Sequence, residues 1–371
     1  MRAVIAAGGT AGHINPALAV AAEIMKNEPA SEIVFAGRED GMEKKLVEQA
    51  GYPFEHFEIH GFERRFRPRD IAFNLNSLRC VAAASLKARR FFRSFKPDVV
   101  VGCGGYISGP VVREAAVMGI KTAILEQNSF PGVTTRLLAR CADIICVASE
   151  DGAERIGRPQ KTFVTGNPIR PEFFSADRQA ARRRLGVGER VCVVSFGGSL
   201  GAKALNELAA YFMRCHVGTG EVFHIHATGQ YAVESFPRLL RELGVDGNSR
   251  DISVREYIYD MPDCFAAADL VISRSGAITI SEIAAAGRAS VLIPSPNVSE
   301  NHQYYNALTL GKAGAARVYE EGSLEPEKAA AEIFELVCDR AKLAEMGVRA
   351  RSISVKNSAE KIYYHIKKLV G

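Results

Sequence analysis

The chain has 371 residues, of which 47% are hydrophobic and 24% charged, with a formal net charge of +5 at pH 7. This length predicts two domains with ordinary apolar cores, and so small a net charge excludes the strongly basic balance that would argue for nucleic acid. No apolar run approaches the roughly 20 residues of a membrane-spanning helix, and eight cysteines scattered singly, without a C-x-x-C pair, exclude a zinc knuckle or dithiol redox motif and read as reduced core residues.

The first residues, MRAVIAAGGTAGH, lack the charged, apolar and cleavage regions of a signal peptide, so the chain is expected to stay in the cytoplasm. A strand-like run at 4–6 passes into Gly8-Gly9-Thr10-Ala11-Gly12-His13 and then a helix pattern over 16–26. Tight glycines let a bound group approach the backbone closely. The loop is neither G-x-G-x-x-G nor a Walker loop, which weighs against dinucleotide binding and ATP hydrolysis. His13 reads either as a general base or as a helix-capping histidine.

After a second run at 33–36, residues 61–97 form a basic and apolar segment. Arg64, Arg65, Arg67, Arg69, Arg79, Lys87, Arg89, Arg90, Arg93 and Lys96 are interleaved with six phenylalanines and face only Glu63 and Asp70. Such a surface can rest on anionic lipid, and residues 62–79 are read as that contact. The plainer alternative is a solvated helix whose apolar face enters the core. Runs at 99–101 and 123–125 lead into Gly104-Gly105-Tyr106-Ile107-Ser108-Gly109-Pro110 and Glu126-Gln127-Asn128. Ligands of doubly wound sheets bind beyond the carboxyl ends of strands, which makes Tyr106, Gln127 and Asn128 candidates to line a cleft. Ordinary turn chemistry is the alternative for each.

Runs at 144–147 and 163–165 bring the chain to the turn-rich stretch 165–171, a domain boundary. The pattern then restarts. Residues 191–196 run into Gly197-Gly198-Ser199-Leu200-Gly201, much as 4–6 run into the first glycine loop, and a helix pattern follows over 202–214. The loop offers a phosphate nest; Ser199, taken alone, reads better as a cap for that helix than as a phosphate donor. In the run at 222–225 and just beyond, His224 and His226 share one strand face; no third ligand has metal-site spacing, so a structural role is preferred. The run at 271–273 turns at Gly276 into a helix pattern over 277–286, with Arg274 before the turn and Thr279 and Glu282 near the helix start. Unpaired N–H groups and the positive end of the helix dipole suit a phosphate there, and Glu282 suits the paired hydroxyls of a ribose. A run at 290–293 follows. The end of the chain is helical in pattern, with apolar Ile362, Tyr363, Ile366 and Leu369. Alternating strands and helices with continuous apolar strands predict an α/β protein of two doubly wound parallel sheets.

These motifs, in this order, resemble the MurG family, the N-acetylglucosaminyltransferases of peptidoglycan synthesis. The resemblance rests on the loops at 8–13, 104–110 and 126–128, on Gly166-Asn167-Pro168-x-Arg170 and Gly197-Gly198-Ser199-x-Gly201-Ala202, and on Arg274-Ser275-Gly276-Ala277 through Gly287 and Gln303-Tyr304-x-Asn306-Ala307. It implies a GT-B fold, two Rossmann-like doubly wound domains facing across a cleft. Residues 1–166 would form the acceptor and membrane-binding domain, with the C-terminal helix 356–371 packing back on it, and 167–355 the UDP-GlcNAc-binding domain. The implied reaction is inverting transfer of GlcNAc from UDP-GlcNAc to the C4 hydroxyl of the muramoyl sugar of lipid I (undecaprenyl-pyrophosphoryl-MurNAc-pentapeptide), giving lipid II. By this resemblance Arg274, Ala277, Ile278, Thr279 and Glu282 hold the nucleotide, Ile258 touches the uracil, Ser199 meets the diphosphate and Gln303 the donor sugar. Thr10, Ala11, Gly12, Asn128 and Arg170 line the cleft near donor and acceptor, with Tyr106 as a further lining residue, and His13 is the candidate base. No metal and no cofactor are implied, nor any nucleic acid; an anionic membrane surface is, with a peripheral location on the cytoplasmic face of the cell membrane. The rivals are another UDP-sugar enzyme of this fold, such as a lipid glycosyltransferase or a UDP-GlcNAc 2-epimerase, and a non-catalytic sugar-nucleotide binder.

Overall fold

The computed structural model describes residues 1–59 and 68–371; the lipid contact expected over 62–79 therefore lies largely outside the described residues. The chain forms two compact units, one of residues Met1–Ile169 with Val355–Gly371 and the other of Arg170–Ser354.

Unit 1 is built on a parallel sheet of seven strands: β1 (Arg2–Ala6), β2 (Glu32–Gly37), β3 (Phe54–His56), β4 (Val99–Gly102), β5 (Lys121–Glu126), β6 (Ile144–Val147) and β7 (Thr162–Val164), in the order β3-β2-β1-β4-β5-β6-β7. Alternate residues of β1 serve opposite faces. Ala3 and Ile5 pack with Val20 and Ile24 of the helix Ala11–Asn27, whereas Val4 and Ala6 pack with Ile107 and Val111. This double burial is why the strand reads as an unbroken apolar run. The helix Pro68–Phe95 inserts Ala84, Ala88 and Phe92 into the second of these cores, so its later turns follow the plainer reading of the basic segment. The helix Ser358–Val370 closes the first core with Ile362 and Ile366. Glu28 ties this helix to the chain's beginning, accepting from the Met1 amine, the Tyr363 hydroxyl and the Lys367 ammonium at 3.0 Å each. Burial alone would raise the Glu28 carboxyl, but its three donors hold it down at about 2.

Unit 2 carries six parallel strands: β8 (Val191–Phe196), β9 (Val222–Ala227), β10 (Ile252–Arg255), β11 (Leu270–Ser273), β12 (Ala289–Leu292) and β13 (Ala316–Val318), in the order β10-β9-β8-β11-β12-β13. Under the sheet lies a buried polar chain. The Ser195 hydroxyl is 2.7 Å from His224 Nε2 and 2.7 Å from His226 Nδ1, and His224 Nδ1 is 3.3 Å from His216 Nε2. The two alternating histidines are thus structural, engaged on one serine. All eight cysteines are free; Cys103, Cys146, Cys192 and Cys264 are core residues, Cys80 and Cys215 are half-buried, and Cys141 and Cys338 are exposed. Among the described residues, no helix is long and apolar enough to cross a membrane.

Candidate functional site

In each sheet the strand order reverses direction at one point, which leaves a crevice beyond the carboxyl ends of two neighbouring strands. In unit 2 that point is between β8 and β11, where Ser273 is in register with Phe196. The loops 197–201 and 274–276 therefore leave the sheet side by side. The second loop enters the helix Ala277–Ala286 through Gly276 in an extended conformation (φ −61°, ψ 143°), and no cap side chain bonds the first turn. The positive end of this helix is directed at the crevice mouth. The first loop enters the helix Lys203–His216, whose cap is Ala202, not Ser199. The capping role expected of Ser199 is thereby corrected: it is an exposed residue of a turn closed by Gly201 N–H on Gly198 O at 3.0 Å. Gly201, at φ +87°, brings its Cα so close to the next loop that a Cβ would lie 2.3 Å from Thr228 O.

Glu282 lies on the helix Ala277–Ala286, half-buried. Burial, only partly offset by the Arg170 guanidinium, leaves its carboxyl raised to about 7. Among the described residues it accepts no hydrogen bond, so a pair of hydroxyl donors would both satisfy it and favour its charged form. Arg170 stacks over Phe173 at 5.1 Å, which fixes it on this unit. Ser275 Oγ donates to Gln303 O at 2.8 Å, and Gln303 Oε1 accepts from Ser295 N–H at 2.9 Å, leaving the Gln303 amide NH₂ as the group presented. Two expected residues stand differently. Arg274 is paired with Glu321 and donates to Ile293 O at 3.0 Å, so its charge is already compensated within unit 2. Ile258 is 2% exposed, so it belongs to the core of unit 2 and presents almost no surface to a base. Ala277, Ile278 and Thr279 are partly exposed along the first turn.

In unit 1 the reversal is between β1 and β4, with Ala6 in register with Gly102. Thr10 caps the helix Ala11–Asn27 by backbone alone, and Thr10, Ala11, Gly12 and His13 form its entrance. His13 Nδ1 lies 3.1 Å from Gly8 O and 3.4 Å from Thr10 Oγ1. A carbonyl only accepts, so Nδ1 carries the hydrogen and Nε2 the lone pair. The ring covers Gly104, where a Cβ would sit 2.5 Å from His13 Cδ2, and Gly105 covers the first loop, where a Cβ would sit 2.4 Å from Gly8 O at φ +79°. Gly105→Ala is therefore expected to lower the stability of unit 1 by roughly 2–4 kcal/mol, from overpacking and backbone strain together. Denaturant melts followed by circular dichroism measure it; an unchanged midpoint would mean the loops do not touch this way.

Two buried carboxylates hold these loops, and neither was singled out from the sequence as a positioning group. Glu43, 1% exposed, accepts from Gly9 N–H at 3.3 Å and Arg38 N–H at 3.1 Å, so the glycine loop rests on it. In sequence it looks like any acid in a first helical turn. Glu126 accepts from Asn128 N–H at 2.9 Å, Asn128 Nδ2 at 3.0 Å and Gly132 N–H at 3.0 Å. Gln127 donates to Cys103 O at 3.0 Å and is buried, so turn chemistry accounts for it and it lines nothing. Tyr106 lines an apolar cavity of about 790 Å³ with Val117, Val133, Leu137, Arg113 and Arg140.

Residues 3–147 match the glycosyltransferase family 28 N-terminal domain and residues 191–362 the glycosyltransferase family 28 C-terminal domain. A UDP-N-acetylglucosamine–N-acetylmuramyl-(pentapeptide) pyrophosphoryl-undecaprenol N-acetylglucosamine transferase of Acetivibrio thermocellus is 38% identical over 371 residues, covering 100% of this chain and 98% of its own. The chain belongs to glycosyltransferase family 28. A family 28 relative of the same description from Caldanaerobacter subterraneus is 39% identical over 373 residues, covering 99% of each. Among solved structures, Acinetobacter baumannii MurG superposes with a TM-score of 0.78 at 28% identity over 99% of both chains. A UDP-GlcNAc 2-epimerase from Neisseria meningitidis, bound to UDP-GlcNAc, superposes at 0.67 with 12% identity over 99% of this chain and 100% of its own, which shows the shared fold alone. The architecture is GT-B, with Rossmann-like units of seven and six strands. The family 28 N-terminal match runs from β1 to the end of β6, and the C-terminal match from the start of β8 into the last helix.

Proposed function

We propose that this protein transfers GlcNAc from UDP-GlcNAc to the C4 hydroxyl of the MurNAc of undecaprenyl-pyrophosphoryl-MurNAc-pentapeptide, inverting the anomeric centre and forming lipid II for peptidoglycan synthesis. The observation that carries this reading is the 38% identity to a transferase of that description across the whole chain. Unit 2 would take the donor: the ribose on Glu282, the diphosphate at the Ala277 helix end with Ser199 and Arg274, the sugar on Gln303, and the uracil beside Ile258. Thr10, Ala11, Gly12, His13 and Asn128 would serve the acceptor, with Arg170 close to the donor. In the reaction His13 Nε2 takes the proton of the acceptor hydroxyl, the O4–C1 bond forms as the bond from C1 to the diphosphate breaks, and UDP departs toward the helix end.

The membrane contact, for which residues 62–79 were the sequence candidate, also has support on unit 1. Val117, Leu137 and Tyr106 are 61%, 58% and 54% exposed around the apolar cavity, with Arg113 and Arg140 beside them. Apolar side chains ringed by cations suit an anionic bilayer, at about 1 kcal/mol per basic residue near the surface. The protein would thus act peripherally, on the cytoplasmic face where nucleotide sugars are made.

Radiolabelled UDP-GlcNAc with a lipid I analogue tests the reading: label should move into the lipid. Epimerised UDP-sugar, transfer to another lipid, or binding without turnover would each select one of the rivals. Glu282→Ala is expected to raise KM for UDP-GlcNAc about 10- to 100-fold with a smaller change in kcat, since hydrogen bonds to a charged group are each worth ~1.5–3 kcal/mol. Unchanged UDP affinity by calorimetry would remove Glu282 from the donor site.

A further inference from the structure

Unit 2 has a second concave site, at the opposite end of its sheet. A cavity of about 380 Å³ opens where the strands begin, beside Val191 at the start of β8, Asp269 just before β11 and Arg288 just before β12. Four guanidinium groups line it, those of Arg178, Arg288, Arg340 and Arg351, against the single carboxylate of Asp269. That carboxylate is already engaged, by Arg178, by Arg182 at 3.2 Å and by Cys192 N–H at 2.8 Å. The other three cations rest on neutral oxygens only: Arg288 on Ala266 O, Arg340 on Glu189 O and Arg351 on Ala286 O, each at 2.9 Å. Among the described residues no carboxylate lies within ion-pair distance of these three. Arg288 Nε is buried and makes no hydrogen bond. Burial, with repulsion from Arg178 behind it, pulls the Arg288 guanidinium down to about 10.

Like charges gathered in a partly dry hollow repel one another, and an unmatched buried donor is costly. Both defects are removed by a multivalent anion with several oxygens, and guanidinium forks match phosphoryl oxygens two at a time. We infer that this hollow is an anion subsite for a phosphate-bearing ligand of about pyrophosphate or sugar-phosphate size, separate from the donor site at the strands' carboxyl ends. Arg340 and Arg351 stand at the two ends of the helix Arg340–Ser352, so a bound anion would fasten that helix to the base of the sheet.

The test uses the full chain saturated with UDP, which occupies the donor site, and titrates inorganic pyrophosphate by calorimetry at low salt. One equivalent is expected to bind, with a rise in melting temperature. Arg288→Met should weaken it at least tenfold while leaving UDP affinity unchanged. Should that variant fold poorly, Arg340→Gln with Arg351→Gln, nearer the surface, should give the same loss. A parallel arm measures sedimentation with phosphatidylglycerol vesicles. Binding in that arm lost in the same variants would assign the shared phosphate chemistry to a lipid headgroup, and binding of pyrophosphate would assign it to a soluble ligand. Binding of neither, or binding that survives all the substitutions, overturns the proposal. A failure of UDP itself to bind would instead strike the proposed donor site, and the arginine variants would then be what separates pyrophosphate in the hollow from pyrophosphate elsewhere.

Discussion

His13→Ala is expected to lower kcat about 10²- to 10⁴-fold, the usual worth of a positioned proton acceptor, while UDP affinity stays as it was. The argument is one of tautomers. Gly8 O at 3.1 Å holds the hydrogen on Nδ1, so the lone pair is on Nε2. The ring packs closely on Gly104, where there is no room for a Cβ. Steady-state kinetics with the lipid acceptor checks the effect. The acid limb of the kcat profile should vanish in the variant, which a merely packed histidine would not cause. A His13→Ala enzyme with wild-type kcat would end the assignment and shift attention to another group at the entrance.

Mild acid is expected to unfold unit 2. Burial depresses all three histidines of the Ser195 chain: His216 to about 4, His226 to about 3, and His224 well below its ordinary value, with the neighbouring histidines adding to the effect there. The Asp251 carboxylate acts the other way on His216 and is outweighed. Natively these rings are neutral, whereas in the unfolded chain they titrate near 6.5. The unfolded state thus binds up to three more protons as pH falls, and stability is intact above about pH 6.5 and lost below it. The slope approaches ~4 kcal/mol per pH unit between roughly pH 6 and pH 4, against a total stability of order 5–15 kcal/mol for an ordinary domain. Urea unfolding read by hydrogen exchange in β9 at several pH values measures it. His226→Gln should remove about a third of the slope, and a stability that is flat from pH 7 to pH 5 would contradict the buried neutral chain.

The central strands were legible because both of their faces are covered. Residues 4–6, 99–101, 191–196 and 271–273 are nearly all apolar, and all fall on strands at or beside a reversal point. The three strands not anticipated, β3 (FEH), β10 (ISVR) and β13 (ARV), are all sheet edges. An edge strand is short and half-solvated, so it carries no apolar run to read. The site divides in the same way. Gly-rich loops at strand ends could be found by pattern, since the backbone geometry there demands glycine. What the side chains do once folded could not: Arg274 turned to Glu321, Gln127 turned inward, and Glu43 was drawn under a loop some thirty residues away in sequence. Those outcomes depend on which partner is nearest in space, and one-dimensional spacing does not carry that information.

The helix Ser358–Val370 also has a bearing on synthesis. Its Ile362 and Ile366 complete an apolar layer begun by Ala17, Val20 and Ile24, yet the ribosome delivers them only after all of unit 2. The later-made unit can therefore reach its native state first, as an autonomous insert, while the earlier-made one waits with part of its interior wet. A translation product arrested before residue 358 would display that uncovered layer, and chaperones or proteases would meet it as a sticky, half-finished sheet.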